Sequence, residues 1–190
     1  MSAARIAARV KPVIVFDSGR QAVAEVVANE ETIRRDRVYD AAFRRAGILP
    51  VPFLADLVSA AGTLAAAARL SGNRLAVVCN GGTLGRVTMQ MWVESGGRPA
   101  ALSKATLDSL SKALPAGMAG RNPVNLFTNA TADRYREAVA SVFADEGVDL
   151  LFAVVGPTAI GDTLAAVSAI TDALPKGYRR KQPAVIWLDQ

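Results

Sequence analysis

Apolar residues change period several times along the chain, and each change marks an element. Residues 2–9 have helical spacing, and Lys11-Pro12-Val13-Ile14-Val15-Phe16 is a short β-branched run ended by Asp17-Ser18-Gly19, which predicts a strand. No clean period follows through residues 20–35. From Asp36 onward, Val38, Tyr39, Ala42, Phe43 and Ala46 fall on one face of a helix that Gly47 caps. Ile48–Val51 reads as a strand. Leu54, Leu57, Val58, Ala61, Leu64, Ala65 and Ala68 then mark a long helix stopping before Ser71-Gly72-Asn73. That break predicts a boundary, with a partial α/β unit and linker helix over 1–70 and a second unit over 71–190.

The second unit is more regular. A strand over 74–79 leads through a Gly-rich turn into a helix reaching about residue 95, where Gly96-Gly97 stops it. Pro99–Leu102 reads as a weak strand, and Ser103 caps a helix carrying Leu107, Leu110 and Leu114. Asn122–Phe127 is a short extended segment, and Tyr135, Ala138, Val139, Val142 and Phe143 form another helical stripe. Asp149–Val155 is a continuous apolar run, followed by a helix over 162–174 and a last strand over 183–188. Strands apolar on both faces, alternating with amphipathic helices, predict an α/β fold whose doubly wound parallel sheet is covered on both sides. Met89, Met91, Trp92 and Trp187 fall at core-compatible positions.

Composition narrows the chemistry. The 190 residues are 51% hydrophobic and 21% charged, enough apolar residue to build a core, and they include no histidine. Imidazole-based triads, histidine metal sites and phosphohistidine are therefore closed to this chain acting alone, and no catalytic residue or metal site is assigned. The one cysteine, Cys79, ends an apolar run and reads as a buried inert thiol, which with the lack of a disulfide framework fits a reducing cytoplasm. The net charge of +5 raises nucleic acid as a partner, yet basic residues are interleaved with acids, as in Glu30-Glu31-Thr32-Ile33-Arg34-Arg35-Asp36-Arg37, and aromatics make up only 6%. A solvated surface with no nucleic-acid partner is expected. No segment has the length to cross a membrane. The Arg-bearing N-terminus runs straight into an apolar strand, so it reads as a helix of the fold rather than a transit peptide.

In a doubly wound fold, ligands sit at the carboxyl ends of the strands. The first turn there is Asn80-Gly81-Gly82-Thr83-Leu84-Gly85, whose glycines let a backbone approach an anion, with Thr83 as candidate helix cap. It matches neither G-x-x-x-x-G-K-[ST] nor G-x-G-x-x-G, so a turn needing glycine only for its geometry is the competing reading. Asn80, Gly81, Gly82 and Thr83 are the candidate phosphate- or nucleotide-binding residues. Arg86, Asn122, Asn125 and Gly156 are secondary candidates: an arginine close behind the loop, two amides from the Asn-Pro-Val-Asn turn, and the start of the Gly156–Asp162 turn on the same edge. Asp162 reads as a helix cap.

The order of several blocks resembles the NDP-forming acyl-CoA synthetases, fused relatives of succinyl-CoA synthetase. The blocks are Lys11-Pro-Val-Ile-Val15, Ser18-Gly-Arg20, Val38-Tyr-Asp-Ala-Ala-Phe-Arg-Arg-Ala-Gly47, Asn73-Arg-Leu-Ala-Val-Val-Cys-Asn-Gly-Gly82 and Asn122-Pro-Val-Asn125. The resemblance spans essentially the whole chain and implies flavodoxin-like succinyl-CoA synthetase-like domains. It also implies a ligase chemistry running through an acyl phosphate and a phosphohistidine, with CoA or acyl-CoA and ADP/ATP as ligands of the larger assembly. In the family that histidine lies between the blocks matched by Ser18–Arg20 and Tyr39–Phe43. Here the stretch Ala22–Arg37 has none, and Asn125 stands where the family has a carboxylate. The phosphorelay should therefore be absent.

The resemblance further implies partners. The CoA-binding and nucleotide-grasp domains of the family are not in this chain, so they would belong to the remainder of a larger protein or to a partner subunit, and an exposed sheet edge in the first unit would also suit a homo-oligomer. Three functions follow. One is a non-catalytic CoA-, acyl-CoA- or phosphate-binding regulatory module, like the histidine-lacking ligase region of bacterial GNAT protein lysine acetyltransferases. Another is a fragment or subunit of an active ADP-forming ligase completed by other chains. The third is a plain protein-interaction domain whose glycine loop is structural.

Overall fold

The computed structural model describes residues 2–16, 30–66, 72–114, 121–176 and 181–188. The expected boundary at 70/71 and the Ala22–Asn29 part of the histidine-lacking stretch fall outside them. The chain forms two compact units, Met1–Ala67 and Ala68–Gln190.

The first unit comprises α1 (Ser2–Ala8), β1 (Val13–Phe16), α2 (Glu30–Ala46), β2 (Ile48–Val51) and α3 (Leu54–Ala66). Strands β1 and β2 are parallel, with Val13 opposite Ile48 and Phe16 opposite Val51. Phe43, Ile48 and Val51 are buried, and the Tyr39 and Phe43 rings lie 6.0 Å apart. Gly47 closes α2 in the left-handed region at φ +69°, as its position after the last periodic residue predicts. Helix α2 begins at Glu30, six residues before the apolar period starts. Glu and Arg are good helix formers, and the exposed charges Glu31, Arg34 and Arg35 add nothing to a hydrophobic period.

The second unit runs β3 (Arg74–Cys79), α4 (Gly82–Glu94), β4 (Arg98–Pro99), α5 (Lys104–Ala113), β5 (Val124–Asn125), α6 (Ala132–Ala144), β6 (Leu150–Val155), α7 (Thr163–Ala173) and β7 (Gln182–Trp187). The sheet is parallel throughout, in the order β4-β3-β6-β7, with β5 also paired to β3. This is a flavodoxin-like doubly wound α/β fold. Strand β3 is its centre: Leu75 to Cys79 have no exposed surface. On one face Ala76, Val78, Leu151, Ala153 and Val155 pack under Leu110 of α5, Tyr135, Val139 and Val142 of α6 and Ile170 of α7. On the other, Leu75, Val77, Cys79, Leu150 and Val154 pack with Met89 of α4.

Coverage of that second face is partial among the described residues. Phe152 and Ile186 are half-buried beside α4, and Ala184 is exposed. Met89 is buried and Trp92 half-buried, with its ring edge-on to Phe152 at 6.1 Å. Met91 and Trp187 depart from the expected core positions, at 62% and 44% exposed. Met91 falls on the outer side of α4. Trp187 ends β7, which pairs along one side with β6.

The expected strand over Pro99–Leu102 shrinks to Arg98–Pro99, because β3 needs a backbone partner there for only a short stretch. Strand β6 takes one side of β3, so β4 and β5 share the other, beside Arg74–Leu75 and Val78–Cys79. The Asn122 side chain fills the gap between them. Its Oδ1 accepts from Val77 N–H at 3.0 Å, and its Nδ2 donates to Leu75 C=O at 2.7 Å and Ala100 C=O at 3.0 Å. A buried backbone group without a partner is costly, so one amide here does the work of a strand.

At the amino edge Arg74 forks onto Asp149, with Nε to Oδ2 and Nη2 to Oδ1 both at 2.8 Å, and the Arg74 backbone N–H donates to Oδ2 at 3.0 Å. The guanidinium holds the Asp149 carboxyl well below its usual range, at about 2. A carboxyl with a depressed folded pKa stabilises the fold above its unfolded pKa of about 3.9, and that contribution fades as pH falls through the folded value. Denaturation midpoints measured from pH 6 to pH 2.5 should therefore drop over the acid limb. Asp149→Asn should lower the midpoint at pH 6 and flatten the limb, and an unchanged limb would refute the role of the pair.

Candidate functional site

Strands β3 and β6 end side by side, with Cys79 opposite Val154. The turns that follow them therefore open on one edge, as expected. The crossover from β3 leads to β4 on one side and the crossover from β6 leads to β7 on the other, which makes the gap between β3 and β6 the topological switch point.

That gap is stitched shut. Asn80 is 6% exposed; its Nδ2 donates to Gly156 C=O at 2.7 Å and its Oδ1 accepts from Gly156 N–H at 2.9 Å. One side chain thus supplies another rung of ladder beyond the last strand residues. Beneath it the buried Tyr135 hydroxyl donates to Val154 C=O at 3.2 Å and is approached by the Asn80 backbone N–H. Burial pushes the Tyr135 phenol well up, the nearby Cys79 adds to this, and the Asn80 N–H opposes it, so the ring stays a neutral strut.

Helix α4 starts at Gly82 with Gly81 as its N-cap residue, and no side chain caps it. Thr83 is therefore not the cap: it lies one residue inside the first turn, exposed. The other described helices of this unit are capped as their sequences predict where a cap was expected. Ser103 accepts from Thr106 N–H, Asp162 accepts from Ala165 N–H, and Thr131, which the periodicity did not single out, accepts from Arg134 N–H. The first amides of α4 are thus left to water or a ligand, at the positive end of the helix dipole.

Of the secondary candidates, Asn125 comes to this edge. Its Oδ1 accepts from Phe127 N–H at 3.0 Å, and its Nδ2 lies 3.1 Å from where a β-carbon on Gly82 would sit. Phe127 adopts φ +63° in that turn. Asn122 does not reach the edge, since its amide is spent on the β3 ladder. Arg86 is exposed on α4, four residues beyond Gly82. Gly156 holds Asn80 through both its backbone groups.

Cys79 is buried and free, its thiol pushed up by burial and donating to Val124 C=O at 3.7 Å, which fits an inert core thiol. A cleft of about 540 Å³ lies away from this edge, between α5 and α6, around Ser109, Ser141 and Asp145. Asp145 is buried, which raises its pKa, but hydrogen bonds from the Thr106 hydroxyl and from Ser103 and Gly147 N–H outweigh that and hold the carboxyl below its usual range. A carboxylate in that state repels anions. Tyr135 was invisible as a support of this edge, because its hydroxyl acts through one bond to Val154, 19 residues away.

Residues 1–64 match the family described as the succinyl-CoA ligase like flavodoxin domain. Acetate–CoA ligase [ADP-forming] I of Archaeoglobus fulgidus is 30% identical over 90% of this chain and 25% of its own length. The α subunit of acetate–CoA ligase [ADP-forming] II of Pyrococcus furiosus is 29% identical over 80% of this chain and 34% of its own. The chain is homologous to these ADP-forming ligases and spans about a quarter to a third of their length. Among solved structures, the dinucleotide forming acetyl-coenzyme A synthetase 1 of Ca. Korarchaeum cryptofilum in complex with phosphate and ADP shares the fold. It superposes with a TM-score of 0.78 at 22% identity, over 98% of this chain and 41% of that one.

The turn depends on Gly85, where an added β-carbon would lie 2.6 Å from Cys79 Sγ and 2.9 Å from Pro123 Cβ. Gly85→Ala should destabilise by about 1–3 kcal/mol, overcoming the helix-propensity gain. Gly62→Ala in α3, where nothing lies within 4 Å, should stabilise by up to about 1 kcal/mol. Opposite signs in chemical denaturation are the expected pair, and a stabilising Gly85→Ala would refute the packing argument.

Proposed function

We propose that this chain is an ADP-forming acyl-CoA synthetase-like domain whose second unit binds a phosphate-bearing ligand (CoA, acyl-CoA or a nucleotide phosphate) without carrying out the family's phosphorelay. The two units are read as a partial and a complete succinyl-CoA synthetase-like domain, meeting near residue 70. Binding is assigned to the amides of Gly82 and Thr83, with Asn125 and Arg86 flanking them; the Gly81 N–H faces the buried Cys79 sulfur, so Gly81 serves as the N-cap residue. The observation that carries this is the uncapped N-terminus of α4, where the other described helices of the second unit each have a side-chain cap.

The non-catalytic part of the reading rests on composition. A chain with no histidine has no imidazole to accept a phosphoryl group, and a carboxylate such as Glu30 or Glu31 would form an acyl phosphate of different geometry and lability. This supports a regulatory module of a larger protein, of the kind found in GNAT protein lysine acetyltransferases, working beside CoA-binding and nucleotide-grasp domains in the cytoplasm. The short span of the chain against its relatives favours a second reading as well, a piece or subunit of an active ligase whose histidine comes from another chain.

Calorimetric titration with CoA, acetyl-CoA, ADP and inorganic phosphate tests the binding. At least one phosphate-bearing ligand should bind the wild-type chain, and Gly82→Leu, whose side chain would meet the Asn125 amide, should weaken it about tenfold or more while the far-ultraviolet spectrum is kept. A folded wild type that binds none of the four refutes the ligand reading. Acyl-CoA synthesis on mixing with a histidine-bearing partner would replace the regulatory reading with the subunit one.

A further inference from the structure

The residue that begins the glycine loop has no free hydrogen-bonding end. Both ends of the Asn80 amide are engaged by Gly156, its backbone N–H approaches the Tyr135 hydroxyl, and the residue is buried. With one Nδ2 hydrogen and one Oδ1 lone pair held by Gly156 and the residue buried, the side chain presents little to a ligand. It does join the two strand ends whose separation would open the crevice at the switch point, and it immediately precedes the N-cap of α4. Leu84, in the first turn of α4, lies over the same Gly156: a β-carbon there would be 2.7 Å from Leu84 Cδ1.

We propose that Asn80 is a positioning residue, a latch that keeps the β3–β6 crevice closed and thereby fixes the first turn of α4. An anion at this edge is held by the helix end and not between the strands. The inference rests on the anion reading of α4 given above and adds how that site is regulated in shape. The amide is the neutral side chain of this length that can donate to Gly156 C=O and accept from Gly156 N–H at once. A carboxylate can only accept, so it would face the carbonyl as a repelling pair. Protonated, a carboxyl regains both functions, and burial would raise its pKa well above the usual range.

Asn80→Asp therefore tests the latch through pH. The probe is sulfate, which stays a dianion from pH 4.5 to pH 8, titrated by calorimetry with circular dichroism at each pH. Wild type should bind with little change over the range. Asn80→Asp should match wild type at pH 4.5 and bind about tenfold more weakly at pH 8, the scale of one buried hydrogen bond lost. Asn80→Ser, too short to span both Gly156 groups, should be weak at both pH values and keeps the test open if the aspartate variant unfolds at pH 8. A variant pair that binds sulfate as wild type does at pH 8 overturns the proposal, because Asn80 would then stabilise the fold without shaping the site. If wild type itself binds no sulfate, the anion reading fails separately. The latch is then judged by amide exchange, where Asn80→Asp should speed exchange at Gly156 and in the first turn of α4 at pH 8 only, and unchanged exchange overturns it.

Discussion

Strand β3 sets the terms for the second unit. It is buried on both faces, so every backbone group on both of its sides needs a partner that is not water. Strand β6 satisfies one side along its length. The other is met in pieces by β4, the Asn122 side chain and β5. The pieces determine the path of the chain: β4 can leave after two residues because Asn122 takes over, and β5 can be two residues long because it arrives only at the carboxyl end. The same requirement recurs one residue beyond β3, where Asn80 extends the pairing with β6 after the strands have ended. Two asparagines thus complete opposite sides of one strand.

Much of this architecture was legible in the sequence and some was not, for reasons that separate cleanly. The alternation of elements was legible because burial imposes periods, two-faced apolar runs in Leu75–Cys79 and Leu150–Val155 and helical stripes such as Tyr135 to Phe143. Caps at Ser103 and Asp162 and the left-handed Gly47 were legible because their chemistry is local. The first turns of α2 were hidden, since the exposed charges Glu31, Arg34 and Arg35 carry no apolar period. The exposure of Met91 and Trp187 was hidden because an apolar residue type says nothing about whether another element lies over it.

The roles of Asn122 and Asn80 lay beyond reach for a different reason. In the sequence each is an asparagine near a turn, and turns are where asparagine is common. What distinguishes them is bonding across 45 and 76 residues, to Val77 and Gly156. At the glycine loop the sequence offers Thr83 as the helix cap, whereas the backbone places Gly81 there. A cap is defined by which residue leaves helical geometry, and with two glycines in a row the side-chain types do not decide it.

The edge that results is asymmetric. Helices α4 and α7 both begin at the carboxyl ends of neighbouring strands and both present a positive dipole end there. Helix α7 brings its own anion, since the Asp162 carboxylate accepts from Ala165 N–H at 2.9 Å and leaves that end balanced. Helix α4 brings two glycines and no side-chain acceptor. With the crevice between the strands bridged by Asn80 and the neighbouring helix already balanced by Asp162, the first turn of α4 is the uncompensated positive end at this edge, which is where the proposed anion is assigned. The absence of histidine then bears on what happens to that anion. On the proposed reading the edge holds a phosphate through backbone amides, whereas passing a phosphoryl group on through a phosphohistidine would need an imidazole from outside this chain.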